Sequence, residues 1–189
     1  MKQAMLVRAL LVVFFVAYPF VIYFGINYLP PSFFGLVLVV LLAMRFGVLL
    51  PEERLVFLPI LVVFLGYAIA TVIFDSATML LYYPALVNFS LCLVFASSLR
   101  QEESLLLRIV RVRGAVISEY VPRYLYRLTA LWAGFFVLNG TVSIWTSTLS
   151  MQAWTLYNGL ISYFIIAILG ASEWVFRRHY KKKMGVETE

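Results

Sequence analysis

Six long apolar runs, at about 6–26, 31–50, 55–74, 78–98, 125–148 and 154–176, alternate with short polar breaks along this chain. Each run matches the roughly 20 apolar residues that a helix needs to cross a bilayer. A backbone in hydrocarbon must satisfy its own N–H and C=O groups, so runs of this length predict helices. The breaks carry turn chemistry: "NYLPPS" from Asn27, "PEER" from Pro51, "DSA" from Asp75 and "LSMQA" from Leu149. They are short, which predicts antiparallel hairpins. Only the connection at 99–124 is long. Within it Leu105, Leu106, Ile109, Val110 and Val112 share one helical face, and Arg108 and Arg111 lie opposite. That pattern predicts an amphipathic helix resting in the headgroup layer and ended by Gly114. Pro122 then suits the first turn of the next helix. The expected fold is all-α: a polytopic transmembrane bundle of six spans in a single integral membrane domain over 1–189, with an interfacial helix between spans four and five.

Composition supports lipid as the solvent. Of the 189 residues 63% are hydrophobic and 13% charged, and the mean hydropathy is +0.95. A soluble domain carries about 25% charged residues, and so small a globule cannot hide this apolar surplus. The opening "MKQAMLVRALLVVFFVAYPFVIYFG" imitates a secretion signal, with Lys2 and Arg8 ahead of its apolar run. The run is too long and lacks a small-x-small cleavage pattern, so a retained first span is expected.

Charge orients the bundle. With the N-terminus inside, Lys2, Arg8, Arg45, Arg54, the arginines of 99–127 and the basic tail from Arg177 to Lys183 all fall on one side. All fifteen basic residues are then cytoplasmic, and the outer turns keep only Asp75. The positive-inside rule accounts for this directly. The expectation is a multi-pass protein of the bacterial inner membrane with both termini cytoplasmic, meeting anionic lipid headgroups on its inner face. The net charge of +6 implies no nucleic-acid partner, because no folded domain remains to form a basic binding face. Trp145 and Trp154 are expected to bracket the last outer turn and Trp174 to mark the inner interface. Trp132 is expected to pack between helices.

Candidate chemistry is sparse. Cys92 and His179 are the sole cysteine and histidine, which excludes internal disulfides and multi-histidine metal or haem sites. No phosphate-binding loop, dinucleotide fingerprint, zinc-protease motif or nucleophile elbow occurs. No enzyme activity, metal or cofactor is expected. Asn88, Asn139 and Asn158 are the notable polar groups within the spans. Amides in hydrocarbon need partners, so they read either as glue between helices or as a binding cluster between spans four, five and six. Arg108, Arg111, Arg113, Arg123 and Arg127 form a basic arm. It serves as an orienting anchor on lipid or as a docking surface for a cytoplasmic partner. Glu173 and Arg177, four apart, predict an interfacial ion pair, although Glu173 could instead meet Arg45 or Arg127. The small-residue pairs Gly66/Ala70, Ala130/Gly134 and Ala167/Ala171 predict close helix approach, and Pro19, Pro59 and Pro84 predict kinks.

Several segments resemble an uncharacterised bacterial inner-membrane family and, more distantly, the YciB family of intracellular septation proteins. They are "LVVFFVAY", "PALVNFSLCLVFASSL", "VPRYLYRLTALWAGFFVLNG" and "YNGLISY…SEWVFRR". The pattern Pro122, Arg123, Arg127, Leu128, Trp132, Phe135, Phe136 runs in the same order. At "YYPALVNF" the chain departs from the septation proteins, which tend to place a lysine before the span. The resemblance implies an inner-membrane protein of envelope maintenance with no enzymatic activity, partnered by envelope-assembly or lipid-biosynthesis proteins. Related genes beside acyl-carrier and acyltransferase genes imply an accessory role with acyl or polyene lipids. The first expectation is therefore a structural or interaction protein of the cell envelope. The alternative is a small transporter or lipid-handling protein that uses the three asparagines.

Overall fold

A computed structural model describes residues 13, 17–48, 51–112, 114, 117 and 121–183, with the backbone alone at 45–48, 51–60, 176 and 178–183. Most of the expected first span, Lys2, Arg8 and Arg113 lie outside the described residues. So do the side chains of Arg45, Arg54, Arg178, Lys181, Lys182 and Lys183.

Prolines and one capping serine, Ser150, mark several of the helix starts. Residues 17–25 form α1. Pro31 and Pro51 open α2 (Pro31–Val48) and α3 (Pro51–Phe74), positions where a missing N–H is harmless. Ser76 precedes α4 (Ala77–Ser98), and Leu105–Val112 is a short α5. Pro122 lies in the first turn of α6 (Val121–Ser147). The Ser150 hydroxyl accepts the Ala153 N–H at 3.1 Å and caps α7 (Met151–Leu156). A wider π turn, Tyr157–Ile161, carries the chain into α8 (Ser162–Lys183). Among the described residues there is no strand.

Helices α4 and α6 pack most extensively on one another, and α2 and α3 form a second close pair. Gly35 permits the second contact. A Cβ there would meet the Ala68 carbonyl oxygen at 3.2 Å and Val72 Cγ2 at 2.9 Å. Ile22 of α1, Leu38 of α2, Phe64 of α3, Leu80 and Tyr83 of α4 and Trp154 of α7 build a buried core. The Tyr83 ring lies 4.9 Å from that of Tyr18 and 5.7 Å from that of Phe64.

Among the described residues three helices are long and apolar enough to cross a membrane: Ala77–Ser98, Val121–Ser147 and the continuous Met151–Val175. Their outward faces are greasy, with Leu93 70%, Leu138 68% and Phe164 61% exposed. A water-soluble monomer rarely shows apolar surface on this scale, so the fold is compatible with an integral membrane protein.

Two local expectations are corrected. Trp154 was expected at an interface and is instead fully buried, its indole N–H donating to the Leu81 carbonyl at 2.8 Å. Trp145 and Trp174 are exposed. Among the described residues the small pairs do not bring helices together either: nothing lies within 4 Å of where a Cβ would stand at Gly66 or Gly134, and Ala130, Ala167 and Ala171 are exposed. Close approach occurs at Gly35 and Gly140, glycines outside any small-xxx-small pair singled out. In α5 the buried side chain is Leu107, absent from the expected apolar face, whereas Val112 is 88% exposed. The helix packs against α6 and the end of α4.

Candidate functional site

Pro84 sits inside α4 and determines much of what surrounds it. A proline there supplies no N–H to the carbonyl four residues earlier, which belongs to Leu80. The Tyr18 hydroxyl of α1 donates to that oxygen at 3.2 Å. The neighbouring carbonyls are engaged as well: Tyr67 of α3 donates to Met79 O at 2.6 Å, and Trp154 of α7 to Leu81 O at 2.8 Å. One turn further on, Asn88 Nδ2 donates to the Pro84 carbonyl at 2.8 Å.

The structure brings Asn88 and Asn139 together. Asn139 Nδ2 donates to Asn88 Oδ1 at 2.8 Å, and Asn139 Oδ1 accepts the Tyr157 hydroxyl at 2.7 Å. Gly140 makes room for this pairing, since a Cβ there would stand 3.2 Å from Asn88 Cβ and 3.1 Å from the Phe89 ring. Asn158 does not join the pair directly. Its Nδ2 donates to the Trp154 carbonyl at 2.9 Å and reaches Thr146 Oγ1 at 3.5 Å. The π turn explains why adjacent residues Tyr157 and Asn158 both contact α6. It inserts one residue into the helical register and broadens the inward face.

A cleft of about 450 Å³ lies among these groups, inside the roughly 300–1,000 Å³ range of small-molecule sites. All three asparagines line it, with Ser162 and Tyr163 beside them and Leu42, Phe64 and Ile166 among its apolar walls. Its lining comes from α1, α2, α3, α4, α6, the π turn and α8. Asn88 is midway along α4, so the cleft opens near the centre of the bundle rather than at its ends.

The basic arm is held by its neighbours. The buried Ser98 hydroxyl accepts the Leu105 N–H at 3.0 Å and donates to the Phe95 carbonyl at 2.7 Å, which fixes the start of α5 to the end of α4. Arg108 contacts Gln101 Oε1, and Arg111 pairs with Glu103. Arg123 and Arg127 are exposed at the start of α6. Glu173 Oε1 stands 3.5 Å from Arg177 Nε and also accepts the Tyr124 hydroxyl at 3.0 Å, which links the start of α6 to α8.

Sequence reasoning missed Tyr18, Tyr67, Tyr124 and Tyr157. A usable signal existed, because a phenol in an apolar span needs an acceptor and a mid-helix proline frees one. Among the described residues no group of three or more His, Cys, Asp or Glu could hold a metal ion. Compared with protein-family models, with curated proteins and with solved structures, the chain matches none.

Proposed function

We propose that this is a six-span protein of a bacterial inner membrane, both termini cytoplasmic, that holds a lipid-like molecule between its helices without transforming it. The observation that carries the reading is the central cleft of about 450 Å³, apolar in its walls and lined by Asn88, Asn139 and Asn158. A bundle that needed its amides only as glue would have no use for a void beside them, because voids forfeit packing energy. The one-sided distribution of basic residues in the sequence supports the topology. Exposed Arg108 and Arg111 on one side of α5, with Ile109 exposed on another, support a place for that helix in an anionic headgroup layer.

The test is purification in mild detergent followed by mass spectrometry of bound lipid. Wild type is expected to retain a lipid species that Val87→Phe, which fills the cleft, loses. Leu138→Phe, on the outer surface, is expected to retain it. Equal retention by all three proteins overturns the reading. A reporter active only in the periplasm, fused to either terminus, is expected to stay silent, and activity at either end overturns the six-span topology.

A second reading rests on the anchorage of α5 through Ser98 and Leu107. A fixed helix bearing outward arginines suits a docking platform, which accords with the envelope role implied by the septation-family resemblance. Replacing Arg108, Arg111 and Arg113 together by Gln is then expected to reduce co-purification of partner proteins and binding to anionic liposomes.

A further inference from the structure

We infer that the cleft selects an uncharged amphiphile: a long apolar chain whose head is a hydroxyl or a carboxamide, rather than a phosphate, carboxylate or ammonium lipid. The inference rests on the cleft being a lipid site and names the chemistry of its occupant.

The first ground is the lining itself. Among the described residues that line it, none is Asp, Glu, Lys, Arg or His. A charged head would be stripped of water with no counter-ion, a cost that burial in low dielectric makes prohibitive.

The second ground is the hydrogen-bonding capacity that the asparagines leave unspent. Each amide offers two N–H donors and a carbonyl with two lone pairs. Asn88 commits one N–H to the Pro84 carbonyl, and its Oδ1 accepts from Asn139. Asn139 commits one N–H to that bond, and its Oδ1 accepts from Tyr157. Asn158 directs its NH₂ to Trp154 O and Thr146 Oγ1, and its Oδ1 accepts no hydrogen bond among the described residues. The lining therefore keeps one spare N–H on Asn88, one on Asn139 and a spare acceptor on Asn158. An anion would use the donors but would face the Asn158 oxygen with only its own lone pairs. A quaternary cation could use none of the three groups as a hydrogen-bond partner. A hydroxyl or amide both donates and accepts, so it alone matches the mixed inventory.

The third ground is geometry. The Asn88–Asn139 bond and the Asn88–Pro84 bond fix both amides on facing helices. The spare donors are thus held in place before a ligand arrives, and such fixing lowers the ordering cost of binding.

The experiment uses the full-length protein in phosphatidylcholine nanodiscs with four photoreactive chains of equal length: hexadecanol, hexadecylsulfonate, hexadecyltrimethylammonium and hexadecane. Crosslinks are mapped by mass spectrometry to the α4 and α6 segments of the cleft. Hexadecanol is expected to label them about tenfold more strongly than either charged probe, the ratio that about 1.4 kcal/mol produces. Asn158→Leu is expected to lower hexadecanol labelling toward the hexadecane level. Undiminished hexadecane labelling shows that the variant is folded with its cleft open. Hexadecane labelling without any preference for the alcohol over the charged probes overturns the inference and leaves the lipid site standing. A full alcohol preference kept by Asn158→Leu overturns it too. Absence of cleft labelling by every probe overturns both the inference and the lipid-site reading.

Discussion

The Tyr18 hydroxyl lies 3.2 Å from the Leu80 carbonyl oxygen, the acceptor in α4 that Pro84 deprives of its helical N–H. The carbonyls on either side, Met79 and Leu81, receive Tyr67 and Trp154. Donors from α1, α3 and α7 thus fall on successive residues of one helix. In hydrocarbon an unmet carbonyl costs several kcal/mol, and here a proline defect becomes the point where four helices are joined.

This junction predicts a specific coupling. Tyr18→Phe leaves this buried acceptor without a donor and is expected to lower stability by about 1–3 kcal/mol. In a Pro84→Ala background the restored N–H takes the Leu80 carbonyl, and the same Tyr18→Phe change is expected to cost almost nothing. Unfolding of the four proteins in mixed micelles, followed by circular dichroism, measures the difference. An equal cost in both backgrounds would sink the idea that Pro84 creates the acceptor.

A second junction ties two turns. Asp75 Oδ1 accepts the Ser32 N–H at 2.7 Å, in the first turn of α2, while its own backbone holds φ at 45°. Asp tolerates this left-handed conformation better than most residues, and an anion suits a helix N-terminus. Asp75→Asn keeps the acceptor and the backbone tolerance, so a loss below about 1 kcal/mol is expected. Asp75→Val removes the acceptor and strains a β-branched residue at positive φ, for a loss of about 2–4 kcal/mol. Thermal unfolding ranks the two, and similar losses would refute the acceptor role.

Much of the helical layout was legible because long apolar runs bounded by "LPPS", "PEE" and "DSA" leave the backbone little choice. The meeting of Asn88 and Asn139 was half legible: amides in apolar runs need partners, and two such residues on consecutive long helices are natural candidates. What the sequence hid depends on three-dimensional register. Trp154 resembles an interfacial tryptophan by its place beside a turn, yet its donor is drawn inward by a carbonyl 73 residues away. The π turn had only a faint trace, the poor helix formers Asn158 and Gly159 inside an apolar run. Leu107 lay outside the apolar face expected of α5 because its burial depends on how α5 packs against α6 and α4, which the sequence pattern does not carry.

The position of Leu107 leads to a prediction about the arm. At 5% exposure it is the buried side chain of α5, so Leu107→Ala removes the main apolar attachment of a short helix. The Leu→Ala range of about 2–5 kcal/mol exceeds what eight residues of helix retain alone. Local detachment rather than global unfolding is expected, seen as loss of hydrogen-exchange protection across 105–112 with α4 and α6 unaffected. Val112→Ala, at an exposed site, is expected to change nothing. Detachment in the Val112 variant and not in the Leu107 variant would reverse the assigned orientation of the helix.

The two α6 glycines should respond in opposite directions to the same added methyl group. At Gly140 a Cβ would sit 3.1 Å from the Phe89 ring and 3.2 Å from Asn88 Cβ, whereas at Gly134 nothing lies within 4 Å. Gly140→Ala must push α4 and α6 apart or turn the Phe89 ring, a strain of about 1–3 kcal/mol. The Asn139–Asn88 bond spans the same contact, so the displacement also lengthens it and loosens the cleft wall. Gly134→Ala meets no obstacle and gains helix propensity, so stability is expected to rise by about 0.5–1 kcal/mol. Unfolding midpoints give the signs, and amide exchange at Asn88 and Asn139 reports whether the pair has opened. If Gly140→Ala proves neutral and leaves that exchange unchanged, the close approach of α4 and α6 does not constrain the asparagines. Their pairing would then have to be maintained by Tyr157 and the π turn instead.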